Sequence, residues 1–128
     1  MSLRTPIGRV LGLGAAKEGA GHWWAQRVSA IALVLLGLWL VGALVALGDY
    51  GHASVSGFIG RPFNAVLLAL LMGTVVYHSQ LGVQVVVEDY VTHHATKIVL
   101  MLLLNFLHVV LAALGIFAIL RIAFGAAA

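Results

Sequence analysis

Three long runs without a single charged side chain dominate this chain and leave few folds open to it. Val28 to Gly48, Phe63 to Val87 and Ile98 to Leu120 each lack Asp, Glu, Lys and Arg. A helix needs about 20 predominantly apolar residues to cross a hydrocarbon core of about 30 Å, and each run is long enough. Lipid offers no water to the backbone, so a crossing segment must satisfy its own hydrogen bonds, as a helix does. Apolar residues surround each run rather than marking one stripe, the pattern of a helix whose outer solvent is lipid. The expected fold is all-α: an integral membrane bundle of three transmembrane helices.

The rest of the chain divides around these runs. Residues 1–27 read as a cytoplasmic N-terminal tail and interfacial segment, 28–121 as the membrane anchor with spans at about 28–48, 63–87 and 98–120, and 122–128 as a short tail. Met1 to Gly21 lacks the sustained apolar core of a signal peptide. Arg61-Pro62 closes the first loop, and Pro62 suits the first turn of the second span because its missing N–H has no helical partner there. Only 9% of the 128 residues are charged and 62% are hydrophobic, against about 25% charged in soluble domains. A water-facing surface cannot be built from so few polar groups. The absence of cysteine excludes disulfides, thiolate zinc sites and iron–sulfur ligation by this chain. With no basic run or basic-aromatic stripe, nucleic acid is not an expected partner.

Lys and Arg set the expected orientation. Three spans place the N-terminal segment and the second loop on one side, which carries Arg4, Arg9, Lys17, Arg27 and Lys97; the other carries Arg61 and Arg121. The positive-inside bias puts the former side in the cytoplasm.

Against this apolar background, His78 is the residue that points to chemistry. An ionisable group inside a span is costly and marks a cavity, a partner or a cofactor. Imidazole is a common axial ligand of haem iron, although a histidine can also serve only to hydrogen-bond a neighbouring helix. At about 100° per residue, Asp89 falls roughly 20° from the His78 face and about 16 Å along the axis, with Gly82 on the same face. One helix side thus offers a ligand, a gap for a flat macrocycle and an acid where the span surfaces, with Tyr90 beside it. Arg27 opens the first span, where its fork of donors suits a propionate or a polar head group; a snorkelling anchor is the alternative. Ser29, two residues on, points elsewhere. Trp23 and Trp24 read as an interfacial belt.

His108 lies about ten residues into the third span, at a depth similar to that of His78. The pair could clamp one haem within the chain, as a self-contained membrane cytochrome b. The favoured reading of His108 is structural, with Asn105 three residues before it as its hydrogen-bonding partner. His52, His93 and His94 fall in loops, and the adjacent pair lacks the further ligands of a zinc site. Glu88 reads as a surface acid, and Gly37, Gly42, Gly73 and Gly82 as close-packing positions.

Two segments resemble the small hydrophobic membrane anchor, of cytochrome b type, that belongs to succinate dehydrogenase (respiratory complex II) in its proteobacterial and mitochondrial form. One is His78 with Gly82 at i+4 and the Asp89-Tyr90 pair at i+11 and i+12. The other is Gln26-Arg27-Val28-Ser29-Ala30 at the start of the first span. The resemblance implies that His78 is one axial ligand of a haem b, the other coming from a larger cytochrome b anchor subunit. It further implies that Tyr90 hydrogen-bonds ubiquinone, that Asp89 lies near it as a proton-path participant, and that Arg27 and Gly82 belong to the haem propionate or pocket region. The implied partners are that larger anchor, an iron–sulfur subunit and a flavoprotein subunit, which pass electrons from succinate to quinone in the respiratory chain and tricarboxylic acid cycle. The implied location is the bacterial inner membrane. The chain would catalyse nothing alone, and the anchor of a quinol:fumarate reductase is an alternative. His22, Trp23 and Trp24 receive no role.

Overall fold

The computed structural model describes Ile7 and residues 19–125; the arginines at positions 4 and 9 and the lysine at 17 lie outside the described residues, as does most of the expected tail. Among the described residues four helices follow one another: α1 (Gly19–Leu47), α2 (His52–Ile59), α3 (Pro62–Tyr90) and α4 (His94–Gly125). Three of them, α1, α3 and α4, are long and apolar enough to cross a membrane. At 1.5 Å per residue they measure about 44–48 Å, well beyond a hydrocarbon core of about 30 Å, so their ends must emerge or the helices must tilt.

Each helix therefore outruns its apolar stretch. α1 begins nine residues before Val28, so His22 to Arg27 form helical turns rather than a tail. α3 continues through Glu88, Asp89 and Tyr90, which leaves only Val91, Thr92 and His93 between it and α4. α4 carries on past Leu120 to Gly125, into the segment expected to be a tail. The stops that do hold are chemical. Gly48 takes the left-handed conformation at φ 70° that ends α1, a geometry glycine adopts without a Cβ penalty. Pro62 starts α3 in its first turn.

The loop between α1 and α3 contains the short α2, which the Gly-, Ser- and His-rich sequence did not signal. Asp49 organises its start: the carboxylate accepts from the Gly51 N–H at 3.0 Å and from the Ser54 hydroxyl. These bonds, the Ser54 one foremost, hold the Asp49 carboxyl below its ordinary value of 3.8 by favouring the charged form. Trp39 of α1 stacks on Phe58 of α2 at 6.1 Å. The Asn64 amide donates to the Phe58 carbonyl at 2.8 Å, which ties α2 to the first turn of α3.

α3 is the central helix, packed against α4 and α1, while α2 rests on the α3 and α4 ends. The bundle is inverted relative to a water-soluble one. Leu38, Val45 and Phe106 face outward, whereas Ser29, Asn64 and His108 are buried with Ala65, Leu81 and Val87. In lipid, leucine gains nothing by hiding, so small residues and interhelical hydrogen bonds make the contacts. The tightest approach is at Gly115, where a Cβ would lie 2.8 Å from the Met72 Cγ on α3. The glycines expected to pack closely behave differently: Gly37, Gly42 and Gly73 have open space beside them.

Candidate functional site

His78 sits midway along α3 and turns toward α1. Its Nδ1 lies 2.9 Å from the Ser29 hydroxyl, and its Nε2 lies 3.4 Å from the Gln26 side-chain nitrogen. Ser29 is 6% exposed, and its hydroxyl donates to the Gln26 carbonyl at 3.1 Å. Thus α1 contributes two residues, one turn apart, to the two edges of one imidazole ring.

The ring opens onto a cleft of about 860 Å³ between α1 and α3. His78, Gly82, Val85 and Glu88 give the α3 wall; His22, Gln26 and Arg27 stand opposite on α1. The α3 residues follow the i, i+4, i+7 rhythm of one helix face. The Arg27 guanidinium carbon lies 5.5 Å over the Trp23 ring, within range of a cation–π attraction that orients the charged head. Ser29 does point away from Arg27, as expected, but into the site: it lies behind the imidazole.

Three of the residues singled out from the sequence, His78, Arg27 and Gly82, thus line one cleft. Asp89 and Tyr90 do not. They occupy the last turn of α3 and are exposed, Tyr90 at 82%. Glu88, read from sequence as a plain surface acid, is the acid at the cleft edge, where Gln84 donates to it at 2.8 Å. Sequence reading assigned no role to His22 or Gln26 and turned Ser29 away from the site. Positions 22, 26 and 29 form a polar i, i+4, i+7 stripe on an otherwise apolar helix, and that stripe was the available signal.

His108 belongs to a different interface. Its Nδ1 lies 2.7 Å from the Leu104 carbonyl and its Nε2 3.3 Å from the Ser79 hydroxyl. A carbonyl only accepts, so Nδ1 carries the proton and the Nε2 lone pair is taken by Ser79. His108 faces a cleft between α3 and α4 with Gln80 and Asn105. Asn105 bonds Gln80 at 3.1 Å rather than the expected His108. Both histidines are intramembrane, but they serve opposite sides of α3.

Whether the α1–α3 cleft suits a haem is tested by its polar atoms and its free space. Among the described residues, His22 Nε2 and Gln26 Oε1 are buried without a hydrogen-bond partner, and both residues line this cleft. Such orphaned groups are costly unless something else completes them. A Cβ on Gly82 would meet only the Gln26 side-chain nitrogen, at 3.7 Å, so packing within this chain does not require glycine there. An imidazole edge, unfilled space over a glycine, an arginine and unpaired donors and acceptors form a set that fits a flat, carboxylate-bearing macrocycle.

Three helices long and apolar enough to cross a membrane, with polar side chains gathered at a cleft between two of them, are the marks of a multi-pass membrane protein. Comparison with known proteins places it further. The chain belongs to the succinate dehydrogenase/fumarate reductase transmembrane subunit family, whose model matches residues 1–114. It is similar to the succinate dehydrogenase hydrophobic membrane anchor subunit of Paracoccus denitrificans, 33% identical over 123 residues, 95% of this chain and 94% of that protein. The anchor subunit of the same name from Rickettsia bellii is 38% identical over 89 residues, 70% of this chain and 71% of that one. The succinate dehydrogenase membrane anchor subunit of Reclinomonas americana is 32% identical over 92 residues, 70% of this chain and 77% of its own. The resemblance read from His78 to Tyr90 and from Gln26 to Ala30 is thereby borne out at the level of the family.

Proposed function

We propose that this membrane anchor subunit helps bind a haem b and forms part of the quinone-reduction site of a succinate:ubiquinone oxidoreductase. His78 Nε2 would hold the haem iron, with a larger anchor subunit supplying the other ligand. Arg27 meets a propionate at the cleft rim and Gly82 leaves room for the ring. Tyr90 and Asp89 form this chain's half of the quinone pocket. The chain lies in the bacterial inner membrane with its N-terminus cytoplasmic, and it works with flavoprotein and iron–sulfur subunits.

The observation that carries this reading is that His78 lines a cleft of about 860 Å³ together with Arg27 and Gly82, its Nε2 meeting only the long 3.4 Å contact from the Gln26 side chain. His108 is 8% exposed and lines a different cleft, between α3 and α4, which speaks against both histidines clamping one haem within this chain. When bound, haem supplies a one-electron store next to the quinone pocket.

Exposure and position support a contribution of this chain to quinone chemistry. The Tyr90 O–H donates to a quinone carbonyl oxygen and so stabilises negative charge as it develops there. Asp89, adjacent and exposed, passes protons from water toward that oxygen while the quinone tail stays in lipid. Arg27 fixes an anionic group at the interface.

Replacing His78 with alanine in the assembled complex tests the reading. Low-spin haem absorbance should fall sharply, with the flavin and iron–sulfur content unchanged. Full retention of that haem overturns it.

A further inference from the structure

We propose that Ser29 is the positioning residue of His78: it fixes the ring's tautomer and rotation so that the Nε2 lone pair is presented to the cleft. The inference deepens the haem reading and takes its functional consequence from it, but the tautomer follows from this chain's hydrogen bonds alone.

The hydroxyl of Ser29 has one proton, and it has an acceptor. It lies 3.1 Å from the Gln26 carbonyl oxygen, three residues earlier on α1, the usual back-bond of a helical serine. With its proton directed there, Ser29 Oγ can only accept from His78 Nδ1, 2.9 Å away. A neutral imidazole carries one N–H, so Nδ1 holds it and Nε2 keeps a lone pair. The Gln26 side-chain nitrogen, a donor, faces that lone pair at 3.4 Å, beyond the usual 2.7–3.2 Å range of an N–H hydrogen bond and therefore easily displaced.

The opposite tautomer fits worse. With the proton on Nε2, the ring would face the Gln26 N–H donor to donor, and Ser29 would have to abandon the Gln26 carbonyl to donate to Nδ1. Rotating the amide to offer Oε1 relieves the first conflict but not the second. The rotated amide would give Gln26 Oε1 a partner, but only with Nδ1 protonated are the three contacts among Ser29, Gln26 and His78 all bonds.

Metal-bound histidines characteristically donate their second ring N–H to an acceptor, which orients the ring and makes it a stronger base. Ser29, buried and anchored to its own helix backbone, is such an acceptor. His108 differs in its acceptor, since its Nδ1 proton goes to a backbone carbonyl on its own helix rather than to a hydroxyl on a neighbouring one.

The test has two arms. In the full chain labelled with 15N-histidine and reconstituted in lipid, nitrogen NMR reads the His78 tautomer, with its signals assigned by their loss in His78→Gln. A protonated Nδ1 and an unprotonated Nε2 are expected; a protonated Nε2 overturns the proposal without recourse to any Ser29 variant. In the assembled complex, Ser29→Ala should weaken haem retention about 10–100-fold and raise the haem midpoint potential, because a less basic ligand stabilises ferric iron less. Ser29→Thr, which keeps the hydroxyl, should restore both. Wild-type haem content and potential in Ser29→Ala overturn the proposal. So does equal loss in the alanine and threonine variants with the tautomer unchanged in both, which would reduce Ser29 to packing. If His78→Gln instead keeps its low-spin haem, the haem reading fails, and the NMR arm alone decides the role of Ser29.

Discussion

Gly82→Ala separates two reasons for a glycine in the middle of a membrane helix, because they predict opposite signs for two measurements. Among the described residues the added methyl group meets nothing closer than the Gln26 side-chain nitrogen, at 3.7 Å, an ordinary van der Waals contact. Helix propensity favours alanine over glycine by about 0.8–1.0 kcal/mol in a helix interior. The haem-free chain in micelles should therefore become slightly more resistant to unfolding. The same methyl points into the cleft beside His78, where a close-fitting group would be overpacked at a cost of about 1–3 kcal/mol. Haem retention should fall by about 5- to 150-fold, since each 1.4 kcal/mol is a factor of ten. Gly82→Leu, with more carbon directed into the same space, should abolish it. The assays are denaturant unfolding of the chain followed by circular dichroism, and haem quantitation of the purified complex. Undiminished haem in Gly82→Leu refutes the placement of the macrocycle over Gly82.

Three further outcomes follow from named contacts. Tyr90→Phe should lower quinone-linked turnover roughly 3- to 10-fold, the worth of one hydrogen bond, while succinate oxidation with an artificial dye stays near normal; unchanged quinone turnover removes Tyr90 from the pocket. Gly115→Leu should drive its side chain into Met72 and destabilise the α3–α4 pair by about 1–3 kcal/mol, read as a lower unfolding midpoint; an unchanged midpoint contradicts that close approach. The depressed Asp49 carboxyl stabilises the start of α2 above its ordinary value of 3.8, and that contribution is lost as the pH falls through the lower folded value. Amide protection at Gly51 should decline in that acid window, and in Asp49→Asn the acid-dependent loss should disappear.

The spans were legible because charge-free runs long enough for lipid admit almost no other fold. Their ends were less legible for a physical reason: the apolar run marks where lipid lies, whereas the helix continues until something breaks it. Nothing interrupts α1 between Gly19 and Val28 or α3 between Val87 and Tyr90, while Gly48 and Pro62 do impose ends. α2 went unseen because its stability comes from Asp49, Asn64 and Trp39, all outside its own eight residues.

The site divides along the same line. His78 stood out because an imidazole in lipid demands a reason. Its partners did not, since Ser29 and Gln26 lie 49 and 52 positions away, and sequence spacing reports neighbours only within one helix. The face calculation joined His78 to Gly82 correctly. It also carried Asp89 onto that face, but the cleft edge is held by Glu88, three residues beyond Val85 on the same stripe. Asn105 similarly had two geometrically reasonable partners, and only the packing of α3 on α4 selects Gln80 over His108.

An experimental structure of the intact complex, read at the depth of His78, is the most direct measurement. The expected result is haem iron bonded to His78 Nε2, with Nδ1 resting on Ser29 and the Gln26 side chain displaced from the ring. An imidazole that touches only Ser29, Gln26 and its packing neighbours, with no porphyrin between α1, α3 and the larger anchor, contradicts it.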